Sequence, residues 1–197
     1  MTLRPLHALL IALSLISTHA VAEEKKELLF HAVGGFPAQG GPAFKAAYFP
    51  AGAGTLVGGR GELVLRGSWG VGFGSYTLAT ELLADQNGVK RDVGFSYGGL
   101  ELNYSFFSRK LLYLNVGTLI GPGQAFAVSR LEGAKREYTQ FLVVEPELST
   151  MVNVTRDLRL GMGISYRVTS GTDTERIVGS SMNGWGLSFT LMYGKIS

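Results

Sequence analysis

The side chains in this sequence that could do chemistry fall at alternate positions within apolar stretches. Arg60 and Glu62, Glu101 and Asn103, and Glu145 and Glu147 are each two residues apart, and Asn115, Arg159, Ser165 and Arg167 stand in similar surroundings. Lys45 is a further, less regular member. A spacing of two puts neighbours on one face of a β-strand, whereas a helix would need three or four. Glu62, Glu101, Glu145 and Glu147 against Arg60, Arg159, Arg167 and Lys45 form a set that can pair to near neutrality. In a confined interior that pairing is required, because an isolated buried ion costs several kcal/mol even after relaxation. Such a cluster would act as a polar plug that rigidifies its surroundings. A gated pore or a binding cleft built from the carboxylates is the functional alternative.

Nucleophilic and metal chemistry have little to work with. There is no cysteine, which excludes a disulfide scaffold, a thiolate site, a thiol nucleophile and a lipid-modified N-terminal Cys. His31 is the sole histidine after residue 22, since His7 and His19 precede it. No G-x-S-x-G is present, and neither is the His-x-Ser-Asn pattern of lipid A deacylases. One histidine without cysteine makes a poor zinc site, so neither metal nor cofactor is expected. Gly52-x-Gly54 with Gly58, and Gly70-x-Gly72-x-Gly74, look like nucleotide loops, but no helical pattern follows either string.

The elements that must hold these residues begin after an export signal. Arg4, the apolar stretch from Ala8 to Ile16 and the small residues Ala20-Val21-Ala22 predict a secretory signal peptide over 1–22. The stretch is shorter than the ~20 residues a membrane-spanning helix needs. Beyond it, no window sustains a helical period, and glycine, 28 residues in all, interrupts every apolar segment. With 46% hydrophobic and 17% charged residues the chain is not a disordered tail. A net charge of +3 with scattered basic residues makes no case for nucleic acid.

What recurs is alternation of period two over about ten residues, the β signal. Trp185, Leu187, Phe189, Leu191 and Tyr193 share one face, opposite Gly184, Gly186, Ser188 and Thr190. Leu158 to Val168 and Leu142 to Val154 behave alike. The polar faces are rich in Gly, Ser, Thr and Asn and poor in the lysine of a solvated sheet, which fits large apolar side chains facing lipid and small or ionic ones facing a narrow lumen. Eight strands are expected, near 42–50, 54–66, 68–82, 91–107, 111–129, 139–155, 158–170 and 182–195. The connections at Arg66-Gly67-Ser68, Ser108-Arg109-Lys110 and Thr155-Arg156-Asp157 are tight. The alternate ones, Asp85 to Lys90, Arg130 to Tyr138 and Gly171 to Ser181, are longer, with the short turn Pro50 to Gly54 as the exception. That parity is the asymmetry of outer-membrane barrels, whose short turns face the periplasm. Trp69, Tyr104, Phe106, Tyr113 and Tyr193 are expected near the periplasmic ends, and Tyr48, Tyr138, Phe141 and Trp185 near the outer ends. The alternation points Tyr113 inward. Pro146 stands mid-strand, where a bulge or an unpaired nitrogen is expected. Leu28 to Phe36 receives no assignment.

Gly58-Gly59-Arg60-Gly61-Glu62, Tyr97-Gly98-Gly99-Leu100-Glu101-Leu102 and Val116-Gly117-Thr118-Leu119-Ile120-Gly121 resemble a family of small, functionally uncharacterised outer-membrane β-barrels of Gram-negative bacteria. Val143-Val144-Glu145-Pro146-Glu147, Asn153-Val154-Thr155 and Ser165-Tyr166-Arg167-Val168 extend the likeness over roughly residues 40 to 197. The resemblance implies the eight-stranded OmpA/OmpX type of fold and carries no activity with it. The ending Lys195-Ile196-Ser197, without a terminal aromatic, departs from the usual pattern.

The expected architecture is therefore all-β: an eight-stranded antiparallel up-and-down transmembrane barrel over 42–197, preceded by a signal peptide over 1–22. Residues 23–41 form a periplasmic segment or lengthen the first strand. The expected protein is a monomer in the outer membrane, in contact with its lipid, with an envelope-structural or surface-interaction role and no open pore. Arg130, Lys135, Arg136 and Arg176 on the outer loops are candidates for binding surface polysaccharide or lipopolysaccharide. An outer-membrane lipid-modifying enzyme and a soluble, lipocalin-like periplasmic binder are the alternatives.

Overall fold

Period-two alternation becomes a ring of strands. The structure, a computed structural model, describes residues 37–50, 52–80, 82–86, 89–129, 136–171 and 182–195. The signal peptide, His31 and the stretch Leu28 to Phe36 lie outside the described residues. The strands are β1 (Ala38–Phe49), β2 (Gly52–Leu65), β3 (Trp69–Leu78), β4 (Leu82–Gln86), β5 (Val89–Phe106), β6 (Leu112–Ser129), β7 (Glu137–Asn153), β8 (Leu158–Ser170) and β9 (Gly184–Gly194). Each is antiparallel to its neighbours in the order β3-β2-β1-β9-β8-β7-β6-β5-β4, and β3 also pairs with β5. That last pairing closes the sheet into an eight-stranded barrel of β1, β2, β3 and β5 to β9, which removes every edge from the ring.

Two boundaries differ from expectation. The single strand expected over 68–82 is divided: β3 stops at Leu78, and β4 resumes beyond it as the short arm of a hairpin on β5. The loop expected over Asp85 to Lys90 is correspondingly shorter, because Asp85 pairs with Lys90 and Gln86 with Val89. The first strand starts four residues before the expected Pro42, at Ala38, where Ala38-Gln39-Gly40-Gly41 pairs with Arg60 to Leu63 on β2.

Pro146 takes the second of its two expected solutions. The β6–β7 ladder runs through it unbroken, opposite Thr118, whereas the β7–β8 ladder omits Glu145 and Pro146 and resumes with Val144 opposite Val168, in the register it had at Glu147 opposite Ser165. There is no bulge. The missing N–H is absorbed as a two-residue gap on one side. Pro122 and Pro42 do the same. Pro122 coincides with a gap between Tyr97–Gly123 and Leu100–Ile120, and Pro42 with a gap between Gly40–Tyr193 and Ala43–Thr190. At the Pro122 gap the two backbones come so close that a Cβ on Gly121 would strike the carbonyl oxygen of Gly98, and one on Gly99 that of Ile120.

The polarity of the wall is inside out relative to a water-soluble barrel. Leu100, Leu102, Ile120, Leu148, Ile164, Leu187, Phe189 and Leu191 are exposed on the outer surface, while Lys45, Glu101, Glu145, Arg159 and Arg167 are each 3% exposed or less. The interior is layered. Phe49, Leu56, Phe95, Phe141, Val143 and Met182 form an apolar cluster toward the long-loop end, and Tyr113 packs with Met151 and Met192 toward the tight-turn end. Lys45, Arg60, Glu101, Glu145 and Glu147 lie between, and Arg159 lies at the tight-turn end beside Met192. The inward face of β7, read from Phe141 and Val143 through Glu145, Glu147 and Ser149 to Met151, crosses all three layers. Phe141 is thus buried inside the barrel, not in the outer aromatic girdle where it was expected, because it shares the parity of Glu145 and not that of Leu142. Tyr48, Trp69, Tyr138, Trp185 and Tyr193 are exposed outside.

Candidate functional site

The interior charges come from several strands: Lys45–Glu145 and Arg60–Glu147 span strands that are not neighbours, whereas Arg167 and Glu145 stand on adjacent ones. Glu145 on β7 is the hub. Lys45 Nζ on β1 and Ser165 Oγ on β8 both donate to its Oε1 at 2.7 Å. The Tyr97 hydroxyl on β5 donates to its Oε2 at 2.6 Å, and Arg167 Nε approaches the same oxygen at 3.4 Å. Lys45 also lies 3.4 Å from Glu147 Oε2. Arg60 on β2 then links Glu147 and Glu101, through Nη1 and Nε at 2.9 Å each. Glu62 belongs to a second group nearer the tight turns. It accepts from Asn103 Nδ2 and Gln39 Nε2, both at 2.6 Å, and Gln39 Oε1 in turn accepts from Arg159 Nη1 at 2.9 Å.

All nine interior residues proposed from sequence point inward, together with Lys45 and Ser165. Eight of the nine enter these two networks, while Asn115 is buried with its Oδ1 unbonded among the described residues. Gln39, Tyr76 and Tyr97 are interior residues that the sequence reading missed. Tyr97 was legible, since Val93, Phe95 and Tyr97 continue the parity of Glu101 and Asn103. Tyr76 supplies a ring face 4.1 Å from Lys45 Nζ. The guanidinium of Arg167 lies 5.0, 5.4 and 4.9 Å from the ring centres of Phe49, Phe95 and Tyr97, and its two terminal nitrogens have no hydrogen-bond partner among the described residues. Aromatic faces carry partial negative charge, so this cage offsets part of the cost of burying the cation. No group of three or more His, Cys, Asp or Glu among the described residues is arranged to hold a metal ion.

Apolar side chains outward, paired ions inward and a ring without edges is an arrangement that only a lipid surrounding stabilises. The chain is a small β-barrel of the outer-membrane type.

Solved structures agree on the fold. The barrel is similar to Neisserial surface protein A, with a TM-score of 0.57 and 13% identity over 80% of this chain and 95% of that one. It is also similar to the outer membrane protein OprG of Pseudomonas aeruginosa (0.52, 11%, 80% and 94%). A major outer membrane protein of Thermus thermophilus is alike as well (0.51, 13%, 80% and 98%). At such identities the likeness is one of fold. No protein-family model matches the sequence, and no similar sequence is found among curated proteins.

Of the outer-loop candidates, Arg136 is exposed at the start of β7, its guanidinium 4.6 Å from the Phe126 ring centre. Arg130, Lys135 and Arg176 lie outside the described residues. Near Arg136, Arg91 Nη1 meets Glu137 Oε2 at 3.1 Å.

Proposed function

We propose that this protein is an integral barrel of the bacterial outer membrane, exported by a cleaved N-terminal signal, with an envelope-structural or surface-interaction role and no conducting pore. The observation that carries this reading is the inverted polarity of the wall. A soluble binder would place Leu187, Phe189 and Leu191 around a ligand and turn Glu145 and Arg167 to water; both are reversed here. The interior supports a closed barrel, because an eight-stranded ring is barely wide enough for its own side chains, and here ions and an aromatic cluster fill it. The fold's likeness to a Neisserial surface protein supports presentation of the long loops at the cell surface.

Two measurements test the membrane reading. Unboiled protein in detergent is expected to migrate anomalously on a gel and to shift on heating, and cell fractionation is expected to recover it with outer membranes. Uniform migration together with recovery in the soluble periplasmic fraction would refute it. In planar bilayers the protein is expected to give no stable large openings. For the surface role, deleting residues 130–135 or 172–181 is expected to abolish binding to lipopolysaccharide or polysaccharide while leaving the heat shift intact. Unchanged binding would remove the loops from the role.

A further inference from the structure

Charge is distributed unequally between the two ends of the barrel. The tight turns and the end of β9 carry Arg66, Arg109, Lys110, Arg156 and Lys195, all exposed, against the single acid Asp157. The described residues of the opposite end include Lys90, Arg91 and Arg136 against Asp85, Asp92 and Glu137. The basic end therefore has a net charge of +4, whereas the opposite end is balanced over its described residues.

The basic end is built and not merely decorated. Ser108 Oγ donates to the Gly67 carbonyl at 2.7 Å, tying the second tight turn to the first. Asn153 Nδ2 donates to the carbonyls of Ser108 and Lys110, at 3.1 and 2.7 Å, tying the third to the second. From beneath, the buried Arg159 donates to the Arg156 carbonyl at 3.1 Å and to that of Gly194 at 3.0 Å. These bonds surround a basin of about 950 Å³ lined in part by Arg109, Arg156, Arg159 and Lys195. Its margin is apolar. Phe107 and Leu111 bracket Arg109 and Lys110 and are about 70% exposed, although Phe107 occupies the left-handed region with φ 59°. Just above, Tyr104 meets the rings of both Trp69 and Phe106 edge to face.

Cations immediately beyond an apolar and aromatic collar match a phospholipid leaflet, in which phosphates lie just outside the acyl chains. A soluble anionic polymer would need the cations but not the collar. We propose that the tight-turn rim is a preorganised docking surface for the phosphate headgroups of anionic phospholipid, with Arg109, Arg156 and Lys195 as the principal cations and Phe107 and Leu111 as apolar anchors. The inference rests on the membrane reading above.

The test is native mass spectrometry of the folded protein in detergent with phosphatidylglycerol or phosphatidylcholine of identical acyl chains, alongside the heat-shift gel. Each cation reaching the headgroup plane is expected to contribute about fivefold, so two or three acting together give roughly 25-fold to 125-fold preference for phosphatidylglycerol. The combined variant Arg109→Gln, Arg156→Gln, Lys195→Gln is expected to lose that preference, while Arg136→Gln at the opposite end keeps it. Equal binding of the two lipids by heat-shifting wild-type protein would overturn the proposal and leave the membrane reading standing, whereas loss of the heat shift would overturn both. Should the triple variant fail to fold, salt decides: about 0.5 M should collapse the wild-type preference through screening, and a salt-insensitive preference refutes the proposal. Displacement of the lipid by an equal concentration of inorganic phosphate would assign the site to free anions and overturn the lipid assignment.

Discussion

Glu145 shows how much one interior side chain carries. It accepts from a lysine on β1, a tyrosine on β5 and both a serine and an arginine on β8. Removing its charge leaves Arg167 with no carboxylate partner among the described residues and Lys45 with only the 3.4 Å contact to Glu147, in a space where neither cation is more than 2% exposed. Glu145→Gln is therefore expected to cost about 3–5 kcal/mol, the usual range for breaking a buried ion pair from one side. Glu101→Gln should cost clearly less, because Arg60 keeps Glu147 at 2.9 Å. Tyr97→Phe removes one hydrogen bond to a charged acceptor, worth about 1.5–3 kcal/mol. Urea unfolding in vesicles, followed by loss of the heat-shifted band, would rank the three, and a Glu101 variant weaker than the Glu145 variant would contradict the hub. The inward set was legible in sequence because parity alone decides direction in a strand. The partners were not: which glutamate meets which arginine depends on strand order and register, and these connect residues as far apart as Lys45 and Glu145.

At the scale of the strand, the prolines and glycines form one system. Pro42, Pro122 and Pro146 each leave a two-residue gap in a single ladder while the register continues past it. Beside Pro122 the wall narrows until only glycine fits at Gly99 and Gly121. Gly121→Ala should force β5 and β6 apart and cost about 1–3 kcal/mol, the usual penalty for overpacking. Gly61→Ala, whose new methyl would find its nearest atom at an ordinary 3.6 Å, is expected to be close to neutral. Equal stability of the two variants would show that the close approach is not a constraint. Alternation was enough to locate the ring strands because each crosses the wall with few interruptions. The division of β3 from β4 was not legible, since Ala79-Thr80-Glu81 contains no residue that breaks a strand.

For the whole molecule, stability depends on the solvent outside as much as on the packing inside. Phe189, near the middle of β9 and exposed on the outer wall, is expected to tolerate other apolar residues. Phe189→Arg should destabilise the folded barrel by about 2–4 kcal/mol in a bilayer, as cations do near the midplane of such walls. Measured in vesicles, a neutral effect would mean that this face does not meet acyl chains. The overall plan was legible because lipid outside and ions inside invert the usual pattern throughout the barrel. The aromatic plug was less so, since an apolar inward face next to the long loops reads locally like an outward one.

The gap at Pro42 falls where the two terminal strands of the barrel meet, and only there do the beginning and the end of the ring touch. The joint consists of two separate stitches: Gln39 and Gly40 against Tyr193 and Gly194, and Ala43 to Tyr48 against Trp185 to Thr190. A cylinder assembled hairpin by hairpin completes this joint last, because it spans the greatest sequence separation. The smaller stitch then works as a clasp: easy to fasten when the ring finally comes round, and the first to part when it is pulled open.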